Sequence, residues 1–335
     1  MMRFLYNKKL LARPDERPLG RLVREYGAAV WLTILLGVMA LPTRAAELSA
    51  QQLGRYPMLG ATVVGKRVVG VGEFGMIVSS ADNGRRWTRL TTPTEETLTD
   101  VFFVEDGNGW AVGHHGTILH SADGGKNWIV QTPDKSAVDP LLGVFFIDAR
   151  HGFAVGAFGL LLETSDGGKI WRNRDVGQGE MHLKAVGGDK EGRLYIAGET
   201  GSVLISSDHG ATWVRTETGY KGSLWRVLVP GPESVLVFGM RGTVFRSDDK
   251  GRSWSSVETG TKAGLSAGVA LTPKNIVLAG AEGTVLASRN GGRSFTAVQI
   301  DDRRGIAAAA ATSSGSVLLL GRITPTTYTL TLQTP

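Results

Sequence analysis

An eight-residue box, Ser-x-Asp-x-Gly-x-x-Trp, returns at a nearly constant interval along the chain. It occupies residues 80–87, 121–128, 164–171 (opening on Thr164), 206–213, 247–254 and 288–295, where Asn290 and Phe295 replace the aspartate and the tryptophan. The closing aromatics lie 41, 43, 42, 41 and 41 residues apart. A fixed period of this size marks a repeat architecture, in which each unit buries its apolar faces only against its neighbours. Within the box, Asp82, Asp123, Asp166, Asp208 and Asp249 are Asx-type turn formers whose carboxylates accept backbone N–H groups. The glycine at the fifth position supplies positive φ without steric penalty. Trp87, Trp128, Trp171, Trp213 and Trp254 are expected to open the next strand and to bury their rings between sheets, each indole N–H free to find a carbonyl. The boxes read as scaffold.

Between boxes the sequence predicts four short strands per repeat, here named a to d. In the second repeat they fall at 98–104, 109–112, 117–121 and 127–132, alternating apolar and polar residues and bounded by Gly, Asp and Pro. Repeats start near residues 58, 98, 140, 182, 223, 265 and 305. Four strands at this period describe a propeller blade, so residues 47–335 are predicted to form an all-β, seven-bladed β-propeller with Asp-box turns. The seventh repeat stops after strands at 305–312, 317–321 and 328–332. Residues 47–56 are expected to supply its missing outer strand, closing the ring by pairing the N- and C-terminal ends and removing exposed edges. No segment after residue 46 reads as a helix.

Residues 1–46 do not fit the repeat. Seven basic residues precede residue 28, an apolar run follows at 28–41, and the small residues Thr43 and Ala45 suit a processing site. This order predicts a signal peptide or an N-terminal membrane anchor. The mature chain is then exported, periplasmic (lumenal in a photosynthetic source), and touches the membrane through its leader only where that leader is uncleaved. The run is short for a spanning helix. The leader also explains the formal net charge of +6. From Glu47 onward 29 Lys and Arg face 28 Asp and Glu, so the basic balance gives no reason to expect a nucleic-acid partner. Cysteine is absent, which excludes disulfides, thiolate metal sites and thiol nucleophiles.

Topology sorts the turns. If strand a leaves one face, the b–c turns and d–a linkers share that face, and the a–b turns and boxes share the other. The b–c turns follow a Gly-x-x-Gly frame with central doublets Glu73-Phe74, His114-His115, Ala157-Phe158, Glu199-Thr200, Met240-Arg241 and Ala281-Glu282, and Arg322-Ile323 in the last repeat. Variation on a fixed frame suits a recognition surface, although solvent-facing turn residues also drift. Phe74, His114, His115, Phe158, Glu199, Met240, Arg241 and Arg322 are therefore candidate partner-binding residues. Trp225 and Arg226, opening strand a of the fifth repeat near the axis, join them. With Arg303 and Arg304 these arginines form a sector suited to carboxylates or phosphates, against which Glu282, Asp301 and Asp302 count as neutralising charges. The six histidines lack metal-ligand spacing, no Gly-x-Ser-x-Gly elbow appears, and no phosphate loop appears. No catalytic, cofactor or metal site is expected.

The pattern VFFVEDGNGWAVGHHGTILHSADGGKNW, with its Gly-x-x-Gly turn and Asp box, resembles the Asp-box (BNR) repeats of the photosystem II stability/assembly factor family of cyanobacteria and plastids and its relatives in non-photosynthetic bacteria. The resemblance covers about residues 58–323. It implies a non-enzymatic, exported seven-bladed propeller that assists assembly of a membrane protein complex, with an arginine patch on the propeller; the expected partner is a membrane protein or membrane-complex subunit, and the chain itself is expected to be monomeric. The rival class is a carbohydrate-binding or sialidase-like Asp-box propeller. That class needs an arginine triad and a Tyr–Glu pair, and its Arg-Ile-Pro signature is missing; Arg322-Ile323-Thr324-Pro325 is the nearest string.

Overall fold

Every second strand of a repeat is apolar on both faces and ends in glycine: Arg67–Gly72, Gly109–Gly113, Gly152–Gly156, Leu194–Gly198, Val235–Gly239, Ile276–Gly280 and Val317–Gly321. A strand of this composition is stable only with sheets packed on both sides, and that arrangement fixes the architecture. The structure, a computed structural model, describes residues 47–131, 139–177 and 179–329. The leader at 1–46 lies outside the described residues. Among those described, no helix is long and apolar enough to cross a membrane.

Seven antiparallel sheets form, each a meander in chain order apart from one N-terminal strand added to the first. Strands a are Met58–Val64, Leu98–Phe103, Leu141–Phe146, Leu183–Gly188, Leu224–Leu228, Leu265–Ala270 and Ile306–Ala311. Each carries a β-bulge one residue after its start. Strands d are short, with Ile129–Val130 typical, and Trp128 precedes that strand where the sequence expectation placed it inside. The core is divided into seven apolar clusters, one for each pair of neighbouring blades. Trp87, Trp128 and Trp171 are buried in these clusters, whereas Trp213 and Trp254 are half-buried. The molecule is a seven-bladed β-propeller.

Ring closure differs from the pairing expected. Glu47–Ser49 hydrogen-bonds to Arg86–Arg89, the outer strand of blade one, giving that sheet five strands. Among the described residues blade seven has three strands, its third at Thr326–Tyr328, and residues 330–332 of the expected third strand lie outside the described residues. The ends of the ring meet by packing. Leu53 inserts between blades seven and one, against Met58, Val68, Ala308, Leu318 and Leu320. Leu53 ends a one-turn helix, Ala50–Leu53, that the strand reading missed. A capping box forms it: Ser49 Oγ accepts the Gln52 N–H, and Gln52 Oε1 accepts the Ser49 N–H at 2.8 Å.

Backbone hydrogen bonds identify the two faces. In six blades the first N–H of the b–c doublet donates to the carbonyl just before strand a, as in His114 to Thr97 at 2.9 Å and Ala281 to Gly264 at 2.8 Å. This contact explains the terminal glycine of strand b, because a Cβ on Gly113 would lie 2.1 Å from the Thr97 oxygen. On the opposite face the fourth box residue donates to the a–b turn in most repeats, as in Gly124 to Gly107 and Gly167 to Arg150. The doublets and the boxes are on different sides.

Candidate functional site: the face of the b–c turns

Each of the first six doublets forms the same single 3-10 turn. The residue after the second glycine donates back to the first doublet carbonyl, and the second doublet residue takes a left-handed conformation. The φ values are 57° at Phe74, 51° at His115, 53° at Phe158, 57° at Thr200, 57° at Arg241 and 58° at Glu282. This region suits glycine and asparagine and disfavours bulky or β-branched residues. The boxes provide an internal comparison. Their fourth position is also left-handed, but there three of six residues are glycine (Gly124, Gly167, Gly291) and one is Asn83. The doublet tips contain no glycine. They hold six large or functional side chains in a mildly strained conformation, and Phe74 is 68% and Phe158 57% exposed.

The first doublet residues are less prominent than expected. Ala157 is buried, and Glu73, Glu199 and Met240 are half-buried. His114 is exposed. In the seventh repeat the frame breaks, since Thr324 replaces the second glycine: Ile323 turns inward and only Arg322 faces solvent.

The tips have specific neighbours. The Phe158 ring meets His182 edge-on at 5.0 Å, and the Phe158 N–H donates to His182 Nδ1 at 3.0 Å. His115 Nδ1 lies 2.7 Å from Glu96 Oε2. The Glu199 carboxylate accepts the His182 N–H at 3.2 Å and sits 3.9 Å from Lys184 Nζ. Trp225 packs its ring over Gly264, where a Cβ would approach to 2.6 Å. The arginine sector divides. Arg304 pairs with Asp302 at 2.7 Å, and the hydrogen bonds from this partner, against the opposing effect of burial, hold the Asp302 carboxyl at about 2. Arg322 lies 3.8 Å from Glu73 across the seam between blades seven and one. Arg226 lines the central channel with its Nε donating to the Ser266 carbonyl at 2.9 Å. Arg241 and Arg303 remain without an ion-pair partner among the described residues.

Sequence reasoning overlooked His182 and Glu96, which orient two tips, and Asp100, which shares the channel with Arg226. Aligning the repeats on strand a instead of on the boxes exposes Asp100, because it occupies the same post-bulge position as Arg226. Among the described residues, no group of three or more His, Asp or Glu side chains could hold a metal ion.

The boxes have the geometry of staples. Ser121 Oγ donates to Asp123 Oδ1 at 2.9 Å and accepts the Gly125 N–H at 2.9 Å, while Asp123 Oδ1 accepts the N–H groups of Lys126 and Asn127 at 2.9 Å each. Trp87 and Trp128 donate to the carbonyls of Gly84 and Gly125, whereas Trp254 donates to the Thr216 hydroxyl of the preceding blade. In the sixth box Asn290 reproduces the aspartate's contacts, accepting the Ser294 N–H at 3.0 Å and donating to Ser294 Oγ at 2.9 Å.

The family model described as photosynthesis system II assembly factor YCF48 matches residues 79–140 and 134–271, together more than half of the chain. Among solved structures, the chain is similar to one described as YCF48 bound to D1 peptide, with 16% identity, 86% of this chain and 98% of that chain covered, and a TM-score of 0.69. It is similar to YCF48 from Cyanidioschyzon merolae, with 15% identity, 85% and 99% covered, and a TM-score of 0.66. A streptogramin B lyase structure is matched at 13% identity, with 84% and 96% covered and a TM-score of 0.70. No curated protein matches by sequence. At these identities the structural likeness shows the fold alone, and a lyase shares that fold, so activity must be argued from the site.

Proposed function

The chain belongs to the photosynthesis system II assembly factor YCF48 family, and from that premise we propose that it is a non-enzymatic scaffold. In this reading it binds a membrane protein or a subunit of a membrane complex through the face of its b–c turns and assists assembly or stability of that complex. The observation that carries the reading is the set of left-handed tips. A turn that served only to connect two strands would relax at glycine, yet six tips keep Phe, His, Phe, Thr, Arg and Glu there. Backbone strain retained at exposed positions points to function, and exposed aromatics on the same face as an arginine with no ion-pair partner among the described residues suit a protein interface. One solved family structure is described as bound to a D1 peptide, which supports a polypeptide as the ligand class. Export to the periplasm, or to the lumen of a photosynthetic source, belongs to the same proposal and rests on the leader's sequence pattern.

Crosslinking in native membranes followed by mass spectrometry tests this reading. The wild-type chain is expected to capture one or a few membrane proteins. Phe74→Ala combined with Phe158→Ala, and separately Arg241→Glu, should reduce that capture on the order of tenfold while thermal stability is retained. Recovery of no membrane protein, or equal recovery by the variants, would refute the proposal.

A further inference from the structure

The residue that follows the bulge in strand a is structurally equivalent in all seven blades. In five it is Gly60, Gly143, Ala185, Ala267 or Ala308, with no side chain beyond Cβ. At Gly60 and Gly143 a Cβ would meet the backbone of the next blade, and the seven inner strands line a cavity of about 400 Å³ on the axis. The other two positions are Asp100 of blade two and Arg226 of blade five. They are the cavity's only ionisable lining residues and sit on opposite walls of the ring.

The two charges do not close on each other. Arg226 donates from Nε to the Ser266 carbonyl, and its two terminal nitrogens have no hydrogen bond or ion pair among the described residues. Asp100 Oδ2 accepts the Val144 N–H at 3.1 Å. Burial pushes the Asp100 carboxyl above its ordinary range while the charge of Arg226 draws it back across the gap. Other shielded charges in this molecule behave differently. Arg193 closes on Asp189 at 2.7 Å, and Glu163 receives Arg174 at 2.7 Å and His151 at 3.0 Å. Partly buried opposite charges held apart, with donors left over, are costly unless something bridges them.

We propose that the central channel binds a small zwitterionic ligand of the amino-acid or dipeptide class, its carboxylate on the Arg226 guanidinium and its ammonium on the Asp100 carboxylate. A guanidinium fork matches a carboxylate in a bidentate manner, and the cavity volume falls within the range of small-ligand sites. This site is separate from the turn tips and does not depend on the partner-binding reading.

Titration of the purified protein with glycylglycine and L-alanine, followed by calorimetry and by NMR of the Arg226 Nε–H and Asp100 carboxyl signals, tests the proposal. Saturable binding that shifts both signals is expected, with Arg226→Gln and Asp100→Asn each weakening it at least tenfold. Acetate and methylammonium, each carrying half of the recognition chemistry, should bind at least tenfold more weakly than glycylglycine. Absence of saturable shifts in the wild-type signals, or equal binding of acetate, would overturn the proposal whether or not the variants fold. Unchanged affinity in folded variants would do the same.

Discussion

The box aspartates act as hydrogen-bond acceptors inside a turn, and their titration follows from that role. Asp208 is held at about 2 by the Thr212 hydroxyl and N–H, and Asp249 at about 2 by the same two groups of Ser253. At Asp123 burial acts in the opposite direction, but the N–H and side chain of Asn127 prevail and bring it to about 2. These folded-state values lie below the unfolded carboxylate range, near ~3.9. Their stabilisation is therefore complete above that range and is lost as pH falls through about 2. Asp100 has the opposite sign: its raised value means that ionisation on going up through ~3.9 disfavours the folded state. Because Asp82, Asp148, Asp166, Asp248 and Asp302 are lowered as well, and Asp100 alone among the described carboxylates is raised, urea midpoints measured across a pH series should decline between about pH 4 and pH 2, and less steeply in Asp249→Asn. At neutral pH, Asp123→Ala should cost about 1–2 kcal/mol in urea denaturation, since a charge-assisted acceptor for two N–H groups is removed from an exposed turn. Asn290 shows that the geometry survives without the charge.

At the level of the element, the blade is held by close approaches that only glycine allows, and these approaches differ in severity. Gly242, after the Met240-Arg241 doublet, has φ +70°, and a Cβ there would lie 2.3 Å from the Thr261 carbonyl oxygen of the next linker. Gly260, in that linker, has φ +69° and nothing within 4 Å. Gly260→Ala should therefore cost only the left-handed penalty, about 1 kcal/mol. Gly242→Ala should cost at least about 2 kcal/mol, because the linker must also move, and guanidinium denaturation of the two variants would separate these terms. Such frames were legible in the sequence, since Gly-x-x-Gly and the box repeat with the period that builds the fold. The pairing of Arg304 with Asp302 was legible too, being local in sequence, but the contact that neutralises Arg322 was not, because Glu73 meets it only across the closed seam. Asp100 was hidden for a related reason: repeats aligned on their loudest motif leave strand a unread. The helix Ala50–Leu53 was announced by its Ser-x-x-Gln capping box, but four residues beside a strand pattern carry too little periodicity to register.

For the whole molecule the weak point is the seam between blades seven and one. Six of the blade boundaries join units consecutive in sequence, whereas this one joins the ends of the ring, and among the described residues its blade seven has no outer strand. The chain compensates locally. The Glu47–Ser49 strand holds to the outer edge of blade one, and the following turn drives Leu53 into the seam, where it is fully buried. Met58, Val68, Met76 and Val78 meet it from one side, and Ala308, Ala310, Leu318 and Leu320 from the other. A strand added to blade seven would have satisfied its edge, but it would have left a gap between small Ala308 and Ala310 and the facing blade. The apolar plug therefore takes precedence over the hydrogen-bonded edge. Leu53→Ala should destabilise the propeller by about 2–5 kcal/mol through lost transfer energy and the cavity left behind. Hydrogen exchange should show where that loss is felt. In the variant, amides of Ile306–Ala311 and Met58–Val64 are expected to gain exchange before those of Leu183–Gly188, on the far side of the ring. Uniform acceleration around the ring would show that the seam opens only with global unfolding and that Leu53 is an ordinary core residue.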